Sequence, residues 1–399
     1  MKVLLIDVNC KNSSTGNIVY NLYKYINSSG NEAAICYGRG SLIKEKNIFK
    51  FSFDLETYLH AILTRITGFT GYFSFFSTRR LIKFIDKFQP DVVHVHELHA
   101  YFVNINPLIN YLKEKNIKTV MTLHCEFAYT GKCGHSIECE QWKTECKRCP
   151  HLREYVSTMW FDHTNYMFKQ KKECFSNFKK MLIISPSEWL ANRIKQSFLK
   201  EYPLEIIHNG IDTNIFRPKN IECLRKKLGI SLNEKVVLAL APHLMSKEKG
   251  GIFVKKIANL LENKKIRFIM IGIDDIEQNY YNNLIMCGPI YDKNILADYY
   301  SLADLFLICS ERENFPTTCI EAQCCGTSVC GFDTGGTKET VIYKAKESLV
   351  EYGKVEELVE VICERLNNLP SKIKISQLAI KEYSNKYMCE QYFKMYQNN

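Results

Sequence analysis

Long apolar stretches are absent from this sequence of 399 residues. Uninterrupted apolar runs such as residues 268–271 are far too short to cross a bilayer, for which a helix needs about 20 apolar residues. Near the start of the chain, Asp7 follows a short apolar run, which predicts a buried strand and not a signal peptide. Apolar residues make up 46% of the chain and charged residues 24%, which excludes a disordered or fibrous protein.

Disulfide bonds are also not expected, although the chain holds 17 cysteines. This number is odd, and no export signal accompanies it. The combination predicts a protein of the reducing cytoplasm, where thiols stay free or bind metal.

The excess of basic over acidic residues lies almost entirely in the first half of the chain. Residues 1–217 hold 29 Lys and Arg against 20 Asp and Glu, whereas residues 218–399 hold 24 against 23. A basic first half favours contact with a polyanion or an anionic membrane surface. A solvated, lysine-rich surface is the alternative.

Short Val, Ile and Leu-rich runs alternate with amphipathic stretches along the chain, which predicts an α/β fold with parallel sheets. The alternation breaks at residues 209–212 and at Pro218. We therefore predict two doubly wound domains, residues 1–217 and 218–379, with ligands bound in a cleft between the facing sheets. The predicted strands are residues 2–8, 34–37, 91–96, 118–123, 181–185 and 204–207, then 235–240, 267–272, 283–287, 304–309 and 328–332.

The most informative segment is residues 310–322, which follows a predicted strand and opens a helix that Thr317 or Thr318 would cap. Glu313 would lie in the loop before the helix, and Glu321 about one turn inside it. Such carboxylates can bind sugar hydroxyls and the two hydroxyls of a ribose, and the free N–H groups of a helix start attract phosphates. The alternative is two surface glutamates near a helix N-terminus.

This segment resembles the Glu-x7-Glu signature of the retaining family 4 glycosyltransferases, which have the GT-B fold. In the order that the family requires, residues 208–218 resemble its interdomain segment, residues 335–339 its glycine pair and residues 383–396 its returning helix. The resemblance covers nearly the whole chain. It implies an acceptor-side domain (1–217), a nucleotide-sugar-binding domain (218–379) and a C-terminal helix (380–399) that packs back on the first domain.

The resemblance also assigns roles in the second domain. Glu321 would hold the ribose of the donor, and Glu313 the sugar. Lys249, in a Lys-Gly-Gly segment, would neutralise the donor diphosphate as a point charge, without a catalytic metal. The other donor-binding positions are Asn314, Phe315, Pro316 and Thr317.

The family usually has an arginine six positions before this lysine, and here that position is His243. A neutral histidine cannot make the bidentate contact of an arginine. Either Lys247 substitutes, or His243 is protonated beside the diphosphate, or donor binding is weakened. An ordinary loop histidine is the alternative.

In the first half, Gly16 lies in a loop between a strand and a helix, where a glycine permits close approach to a ligand. By resemblance this loop lies near the donor diphosphate and the acceptor, although a tight turn would also need the glycine. His94 and His96 alternate along a strand, so at least one should be a buried or hydrogen-bonded histidine. His124 resembles the family's histidine near the reacting sugar, but Cys125 follows it where the family often has aspartate.

A cysteine cluster stands apart from these motifs, and its segment is too polar to form a core of its own. Four thiols with a Cys-x2-Cys pair predict a structural Zn²⁺ site in an insert of residues 125–151, with His135 and His151 as substitute ligands. Incidental free thiols or a redox pair are the alternatives. A similar insert occurs in capsule and colanic-acid-type members of the family. The predicted ligands are Cys133, Cys139, Cys146 and Cys149.

Residues 58–85 combine aromatic side chains with Arg65, Arg79 and Arg80. This composition suits a membrane interface at which a polyprenyl-diphosphate-linked acceptor waits. Burial of the aromatics in the core is the alternative.

Together these features predict a retaining glycosyltransferase that moves a sugar from a nucleotide-sugar to a hydroxyl of a growing, lipid-linked surface polysaccharide. It would act in the cytoplasm or on the cytoplasmic face of the inner membrane, without a nucleic-acid partner. The alternatives are a zinc-containing, basic nucleic-acid-binding protein and a GT-B nucleotide-sugar epimerase or phosphorylase.

Overall fold

Two parallel sheets organise the computed structural model, which describes residues 1–154, 156–275 and 282–397. The chain divides into two compact units. Unit 1 contains Met1–His208 together with the chain from Cys389 onward, and unit 2 contains residues 209–388.

Unit 1 is built on a seven-stranded sheet with the order β3-β2-β1-β4-β5-β6-β7. Its strands are β1 (Lys2–Asp7), β2 (Glu32–Tyr37), β3 (Ile48–Lys50), β4 (Val92–Val95), β5 (Lys118–Thr122), β6 (Met181–Ser185) and β7 (Leu204–Ile206). Its helices are α1 (Ser14–Ser28), α2 (Asp54–Thr67), α3 (Phe75–Phe88), α4 (Ile105–Glu114), α5 (Thr164–Phe175) and α6 (Glu188–Ile194).

Unit 2 is built on a six-stranded sheet with the order β10-β9-β8-β11-β12-β13. Its strands are β8 (Lys235–Leu240), β9 (Ile266–Ile271), β10 (Leu284–Cys287), β11 (Leu305–Ile308), β12 (Ser328–Phe332) and β13 (Leu349–Val350). Its helices are α7 (Glu222–Lys227), α8 (Gly251–Leu260), α9 (Lys293–Leu302), α10 (Thr317–Cys324), α11 (Ala345–Ser348), α12 (Val355–Asn367) and α13 (Lys372–Tyr383), and α14 (Asn385–Gln397) continues into unit 1.

The central strands are buried on both faces. In β1, residues 3–6 are fully buried, and in β8, residues 236–238 are as well. Continuous apolar runs of this kind form parallel strands because helices cover both faces of such a sheet. Parallel order also brings the carboxyl ends of the strands to one edge of each sheet, and the loops at that edge carry the predicted site residues.

The last helix ties the end of the chain to β4. The hydroxyl of Tyr396 lies 2.7 Å from Nδ1 of His94, and Thr122 lies 2.8 Å from its Nε2. His94 is therefore a buried, hydrogen-bonded histidine of the core, as its alternation with His96 predicts. Residues 398 and 399 of the predicted C-terminal helix lie outside the described residues.

No helix among the described residues combines the length and the apolar character that crossing a membrane requires. All 17 cysteines are free thiols.

Candidate functional site

An ion pair joins two of the predicted donor-binding residues in unit 2. Nζ of Lys249 lies 2.7 Å from Oε1 of Glu313, and both side chains are partly exposed. Lys249 comes from the loop before α8, and Glu313 comes from the loop that follows β11. The order of the strands places these two loops side by side, because β8 and β11 are neighbours in the sheet.

Two glycines allow these loops to approach so closely. Gly250 has φ +71°, and a Cβ there would lie 2.1 Å from the carbonyl oxygen of Cys309. Gly335 has φ +57°, and a Cβ there would lie 1.9 Å from the carbonyl oxygen of Glu313. The N–H of Gly336 donates to that same carbonyl at 2.9 Å. The glycine pair thus fixes the backbone that presents the Glu313 side chain.

The second glutamate of the signature lies in the second turn of α10. The hydroxyl of Tyr300 donates to Oε2 of Glu321 at 2.9 Å, and burial raises the pKa of Glu321 to about 7. The predicted capping of this helix by Thr317 or Thr318 is wrong. Thr317 is the first helical residue, and Pro316 occupies the N-cap without a side-chain hydrogen bond. A proline has no N–H to leave unsatisfied there, and the free N–H groups of the first turn remain available.

The structure does not bring His243 into the Lys249–Glu313 pair. The His243 ring is exposed, and its Nδ1 atom lies 2.8 Å from Oδ2 of Asp274. Lys247, the predicted substitute, is also exposed and lies 3.6 Å from Glu311. Asn314, Phe315 and Pro316 are buried beside Glu313, and Thr317 is half-buried.

The sequence predicts Gly16 in the loop before α1, but the structure places it in the first turn of that helix. The N–H of Gly16 donates to Oγ of Ser13, the N-cap of the helix, at 2.9 Å. A Cβ at Gly16 would lie 2.9 Å from that Oγ atom and 3.1 Å from the carbonyl oxygen of Asn9. Thr15 then donates to Asp7 at 3.0 Å, at the end of β1. The glycine is thus needed by the turn itself.

Three histidines lie near one another: His94 within β4, His96 just after it, and His124 after β5. Nδ1 of His96 is 3.0 Å from Nε2 of His124, and their rings are stacked. Burial lowers the pKa of His124 and lowers that of His96 and His94 well below the usual range. His124 therefore occupies the predicted position at a strand end as a neutral imidazole.

Next to these histidines is a cluster that the sequence did not single out. Oε2 of Glu97 lies 2.9 Å from Nε2 of His99 and 3.6 Å from Sγ of Cys125. Burial acts against both charges, but attraction between them raises the pKa of His99 and lowers that of Glu97. Glu97 and His99 follow β4, and Cys125 follows β5. Polar residues just after two neighbouring parallel strands are the sequence signal that could have indicated this cluster. The cluster holds an ion pair beside a thiol.

Glu126, which follows Cys125, has a structural role. Its buried carboxylate accepts from Nε of Arg193 at 2.5 Å and from the N–H of Ser136 at 2.6 Å. These contacts connect the start of the insert to α6. Glu126, two positions after His124, is therefore buried, and its carboxylate is engaged by Arg193 and Ser136.

The insert contains a small pocket that all four of its predicted metal-binding thiols line: Cys133, Cys139, Cys146 and Cys149. The N–H of Gly131 donates to Sγ of Cys146 at 3.2 Å. Hydrogen bonds from the Cys133 thiol and from the N–H of His151 lower the pKa of Cys149 to about 7. Burial raises the pKa of Cys146 to about 11, and the hydrogen bond to Cys149 raises the pKa of Cys133. Of these three thiols, only Cys149 is therefore favoured as a thiolate, the form in which cysteine binds metal.

The sulfur atoms are not yet as close as a bound metal would hold them. Bonds of about 2.3 Å in a tetrahedral zinc site place the sulfurs roughly 3.8 Å apart. Across the residues that the structure describes, only Glu97, His99 and Cys125 supply three ligand atoms within 4.8 Å of one another. The four thiols fit zinc in kind and number, and the zinc site stays a prediction.

Both halves of the chain match known protein families. The model of "Glycosyltransferase Family 4" matches residues 15–215, and that of "Glycosyl transferases group 1" matches residues 234–368. The putative colanic acid biosynthesis glycosyl transferase WcaC of Escherichia coli K12 is 26% identical over 331 residues, which cover 77% of this chain and 76% of that protein.

Solved structures share the fold. Sucrose-phosphate synthase of Thermosynechococcus elongatus gives a TM-score of 0.71 at 16% identity, over 99% of this chain and 98% of that one. Anabaena HepE in complex with UDP-glucose gives a TM-score of 0.65 at 15% identity, over 100% of this chain and 99% of that one. These neighbours are GT-B glycosyltransferases, so the predicted fold class is confirmed. Because the first family model alone spans half of the chain, the protein is a glycosyltransferase and belongs to family 4.

Proposed function

We propose that this glycosyltransferase moves a sugar from a nucleotide-sugar to a hydroxyl of a growing surface polysaccharide, with retention of the anomeric configuration. The arrangement of Lys249, Glu313 and Glu321 around α10 carries the proposal. One ammonium group and two carboxyl groups beside a helix N-terminus match a diphosphate that bears a ribose and a sugar. The HepE complex with UDP-glucose supports this donor class, and the name of WcaC supports a polysaccharide product.

In this proposal each group of unit 2 binds one part of the donor. Glu321 accepts hydrogen bonds from the ribose hydroxyls, with Tyr300 fixing its carboxyl group. Glu313 binds hydroxyls of the transferred sugar. Lys249 and the free N–H groups of α10 face the diphosphate, with Asn314 to Thr317 forming the adjacent wall. His243 stays paired with Asp274 and does not replace the family's arginine.

Negative charge grows on the diphosphate as its bond to the sugar breaks. A fixed ammonium group stabilises that charge more in the transition state than in the ground state, which is the requirement for catalysis. We propose that Lys249 supplies this stabilisation without a catalytic metal.

We assign the acceptor to residues 1–217 and the donor to residues 218–379. In the first of these regions, His124 would contact the reacting sugar as a neutral hydrogen-bonding group. The N–H groups at the start of α1, around Gly16, would contribute to the same reaction.

A donor screen followed by product analysis tests the function. A nucleotide-sugar that binds the folded protein raises its melting temperature, so UDP-, GDP-, ADP- and dTDP-sugars are compared at equal concentration. The donor that stabilises the protein is then incubated with and without a polyprenyl-diphosphate-linked glycan. NMR of the product should show a new glycosidic bond with the donor's anomeric configuration. Release of an epimer, or of a sugar phosphate without acceptor, would support the epimerase or phosphorylase alternatives instead.

An exposed apolar surface on unit 1 supports peripheral membrane binding. Phe75 and Phe76 are exposed, contrary to burial in the core. The N–H of Phe76 donates to the carboxylate of Glu56 at the start of α2. The N–H of Met159 donates to the carbonyl oxygen of Arg65 at the end of the same helix, so α2 links the two groups of exposed residues. The apolar surface consists of Leu55, Tyr58, Leu59, Leu63, Ile66, Phe75, Phe76, Met159, Trp160 and Phe161.

Exposed arginines at this surface, Arg65 and Arg79, match anionic lipid headgroups. We propose that the apolar surface docks on an anionic membrane that holds the lipid-linked acceptor. Flotation with phosphatidylglycerol vesicles should retain the wild type and lose the Phe75→Ser/Phe76→Ser variant. Leu232→Ser, at an exposed leucine of unit 2, is the matched control. Equal flotation of all three proteins would contradict membrane docking.

We also propose that the four insert cysteines bind a structural Zn²⁺ ion. Four thiolates leave no open position for chemistry, so the metal would stabilise the polar insert. Metal analysis of the purified protein should find one zinc ion per chain. A Cys146→Ser/Cys149→Ser variant should lose it.

A further inference from the structure

The loops after β4 and β5 bring three metal-binding side chains together in unit 1. Oε2 of Glu97 lies 2.9 Å from Nε2 of His99 and 3.6 Å from Sγ of Cys125. Each residue offers one ligand atom, and the three atoms all lie within 4.8 Å of one another. Carboxylate, imidazole and thiolate are the groups that bind Zn²⁺ in proteins. The cluster therefore has the donor set of a zinc site.

The spacing of these atoms is close to that around a bound ion. In a tetrahedral zinc site, bonds of about 2.0–2.3 Å place an oxygen and a nitrogen ligand roughly 3.4 Å apart, and an oxygen and a sulfur ligand roughly 3.6 Å apart. The Glu97–Cys125 distance of 3.6 Å already equals the second value. The Glu97–His99 distance of 2.9 Å would have to increase by roughly half an ångström. Small side-chain movements are thus sufficient to admit an ion.

The three residues come from two neighbouring strands and remain open to solvent on one side. Glu97 and His99 follow β4, Cys125 follows β5, and these strands pair in parallel. Glu97 is buried, whereas the His99 side chain is 19% exposed and Cys125 is partly exposed. An ion can therefore enter from solvent and would connect the two loops.

A small cavity beside the cluster contains an unpaired nitrogen atom. Glu97 and Cys125 line this cavity together with His96 and His124. His96 is 2% exposed, and its Nε2 atom has no hydrogen-bond partner among the residues that the structure describes. Buried polar atoms are nearly always paired, so this nitrogen points to a ligand in the cavity. A metal-bound water there would give it a hydrogen-bond partner.

We propose that Glu97, His99 and Cys125 bind a divalent transition-metal ion of the zinc type, with water at the fourth position. The site uses none of the four insert cysteines, so it does not depend on the zinc site proposed for the insert. The ion would join the loop after β4 to the loop that carries His124. It lies in unit 1 and adds no metal to the donor-binding residues of unit 2.

A bound ion would replace two protons. Burial raises the pKa of the Cys125 thiol. Burial acts in the opposite direction on His99, but attraction to Glu97 outweighs it and raises the pKa of His99. Both protons pass to solvent when the metal binds, which weakens the apparent affinity. We therefore expect the ion to be lost during purification, and the test adds it back.

Titration of the full-length protein with Co²⁺ tests the proposal. The wild type should bind one more equivalent than Cys125→Ser, with a thiolate charge-transfer band and the visible bands of a tetrahedral ion. Loss of an outer-shell contact weakens metal binding by about 10–100-fold, so loss of a ligand should weaken it by more than about 100-fold. The insert thiols are the same in both proteins, so the difference between them reports this site alone.

Cys174→Ser is the matched control. Cys174 is also a buried thiol of unit 1, and its Sγ lies 3.7 Å from Oδ1 of Asn110, an amide in place of a carboxylate. This variant should bind Co²⁺ like the wild type. If Cys125→Ser binds as many Co²⁺ ions as the wild type with the same affinity, the proposal is wrong.

Glu97→Gln separates a metal site from a simple ion pair. The amide keeps the shape of the side chain but is a poor zinc ligand. An ion that binds the folded protein raises its melting temperature, so added Zn²⁺ should raise that of the wild type more than that of Glu97→Gln. Each protein is compared with itself without metal, which removes any intrinsic loss of stability. An equal response of both proteins would show an ion pair only and would overturn the proposal. Sugar transfer is measured separately, so the proposed glycosyltransferase reaction can stand or fail independently.

Discussion

Lys249 donates to Glu313 across 2.7 Å, although 64 positions separate them in the chain. The pair is held by two backbone contacts, since Gly250 lies against Cys309 and Gly335 lies against the carbonyl group of Glu313. The ammonium group is thus oriented before the donor binds. Preorganised charges of this kind need little rearrangement as the reaction proceeds.

Removal of the Lys249 charge should reduce catalysis more than donor binding. We expect Lys249→Ala to lower kcat by about 10²–10³-fold, because a lost charge contact to the leaving group acts mainly in the transition state. Steady-state kinetics with the donor found in the thermal-shift screen measures this effect. Lys256→Ala is the control, since Lys256 forms an exposed ion pair with Glu356 in the same unit. A Lys249→Ala enzyme with the kcat of the control would contradict the assigned role.

Substitution of the second glutamate should act on donor binding instead. Glu321→Gln exchanges a carboxyl oxygen for an amide donor at the proposed ribose contact. We expect the KM for the donor to rise by about tenfold with a smaller change in kcat. A lost hydrogen bond costs about 1 kcal/mol for a neutral group and about 1.5–3 kcal/mol for a charged one, and a pKa of about 7 leaves Glu321 partly charged at neutral pH. Tyr300→Phe keeps the glutamate but removes its 2.9 Å hydrogen bond, so it should have a weaker effect of the same kind. Both variants are compared by donor titration, and an unchanged KM in Glu321→Gln would count against the ribose contact.

A methyl group at Gly335 should disturb the loop that presents Glu313. The residue has φ +57°, and an added Cβ would meet the Glu313 carbonyl oxygen at 1.9 Å. Gly353→Ala is a matched control, because Gly353 has φ +83° but nothing within 4 Å of its added Cβ. Both variants bear the left-handed strain of about 1–2 kcal/mol, and only Gly335→Ala bears the clash as well. Chemical denaturation should therefore rank Gly335→Ala below Gly353→Ala in stability, and transfer activity should fall in Gly335→Ala alone.

The sequence was sufficient to predict the fold class and most of its strands. The central strands are continuous apolar runs, and only a strand buried on both faces needs such a composition. The short strands β3 and β13 were missed, because two or three residues carry too little pattern.

The candidate site could be predicted only in part, because side-chain pairing depends on tertiary contacts. The spacing of Glu313 and Glu321 revealed the loop and the helix that carry them. Nothing local revealed that Asp274 pairs with His243, since 31 positions separate the two residues. The capping prediction failed because Thr317 is already helical after Pro316. In each case the missing information was which distant segment lies next to the residue.

The buried carboxyl group of Asp7 should make the stability of the protein depend on pH. Burial, with repulsion from Glu97 added, raises the pKa of Asp7 to about 7 in the folded protein from 3.8 for an unburied aspartate. Between these values the folded state holds a proton that the unfolded state has lost. Stability from this residue is therefore present at acid pH, falls as the pH rises towards 7, and stays low above that value.

Asp7→Asn removes this titration, because an amide is neutral throughout. Asp7→Asn should therefore gain melting temperature relative to the wild type when the pH is raised from 5 to 8. The gain should be about 2–4 °C for each kcal/mol of unfolding free energy that the wild type loses between these pH values. Thr15→Val is the control, since it removes the 3.0 Å hydrogen bond to Asp7 but keeps the carboxyl group. That hydrogen bond lowers the pKa of Asp7, so the variant should keep a pH dependence of the same direction as the wild type and at least as large. If the difference between Asp7→Asn and the wild type is the same at both pH values, Asp7 is ionised in the folded protein. Its negative charge would then require a cationic neighbour at the edge of the sheet beside the start of α1.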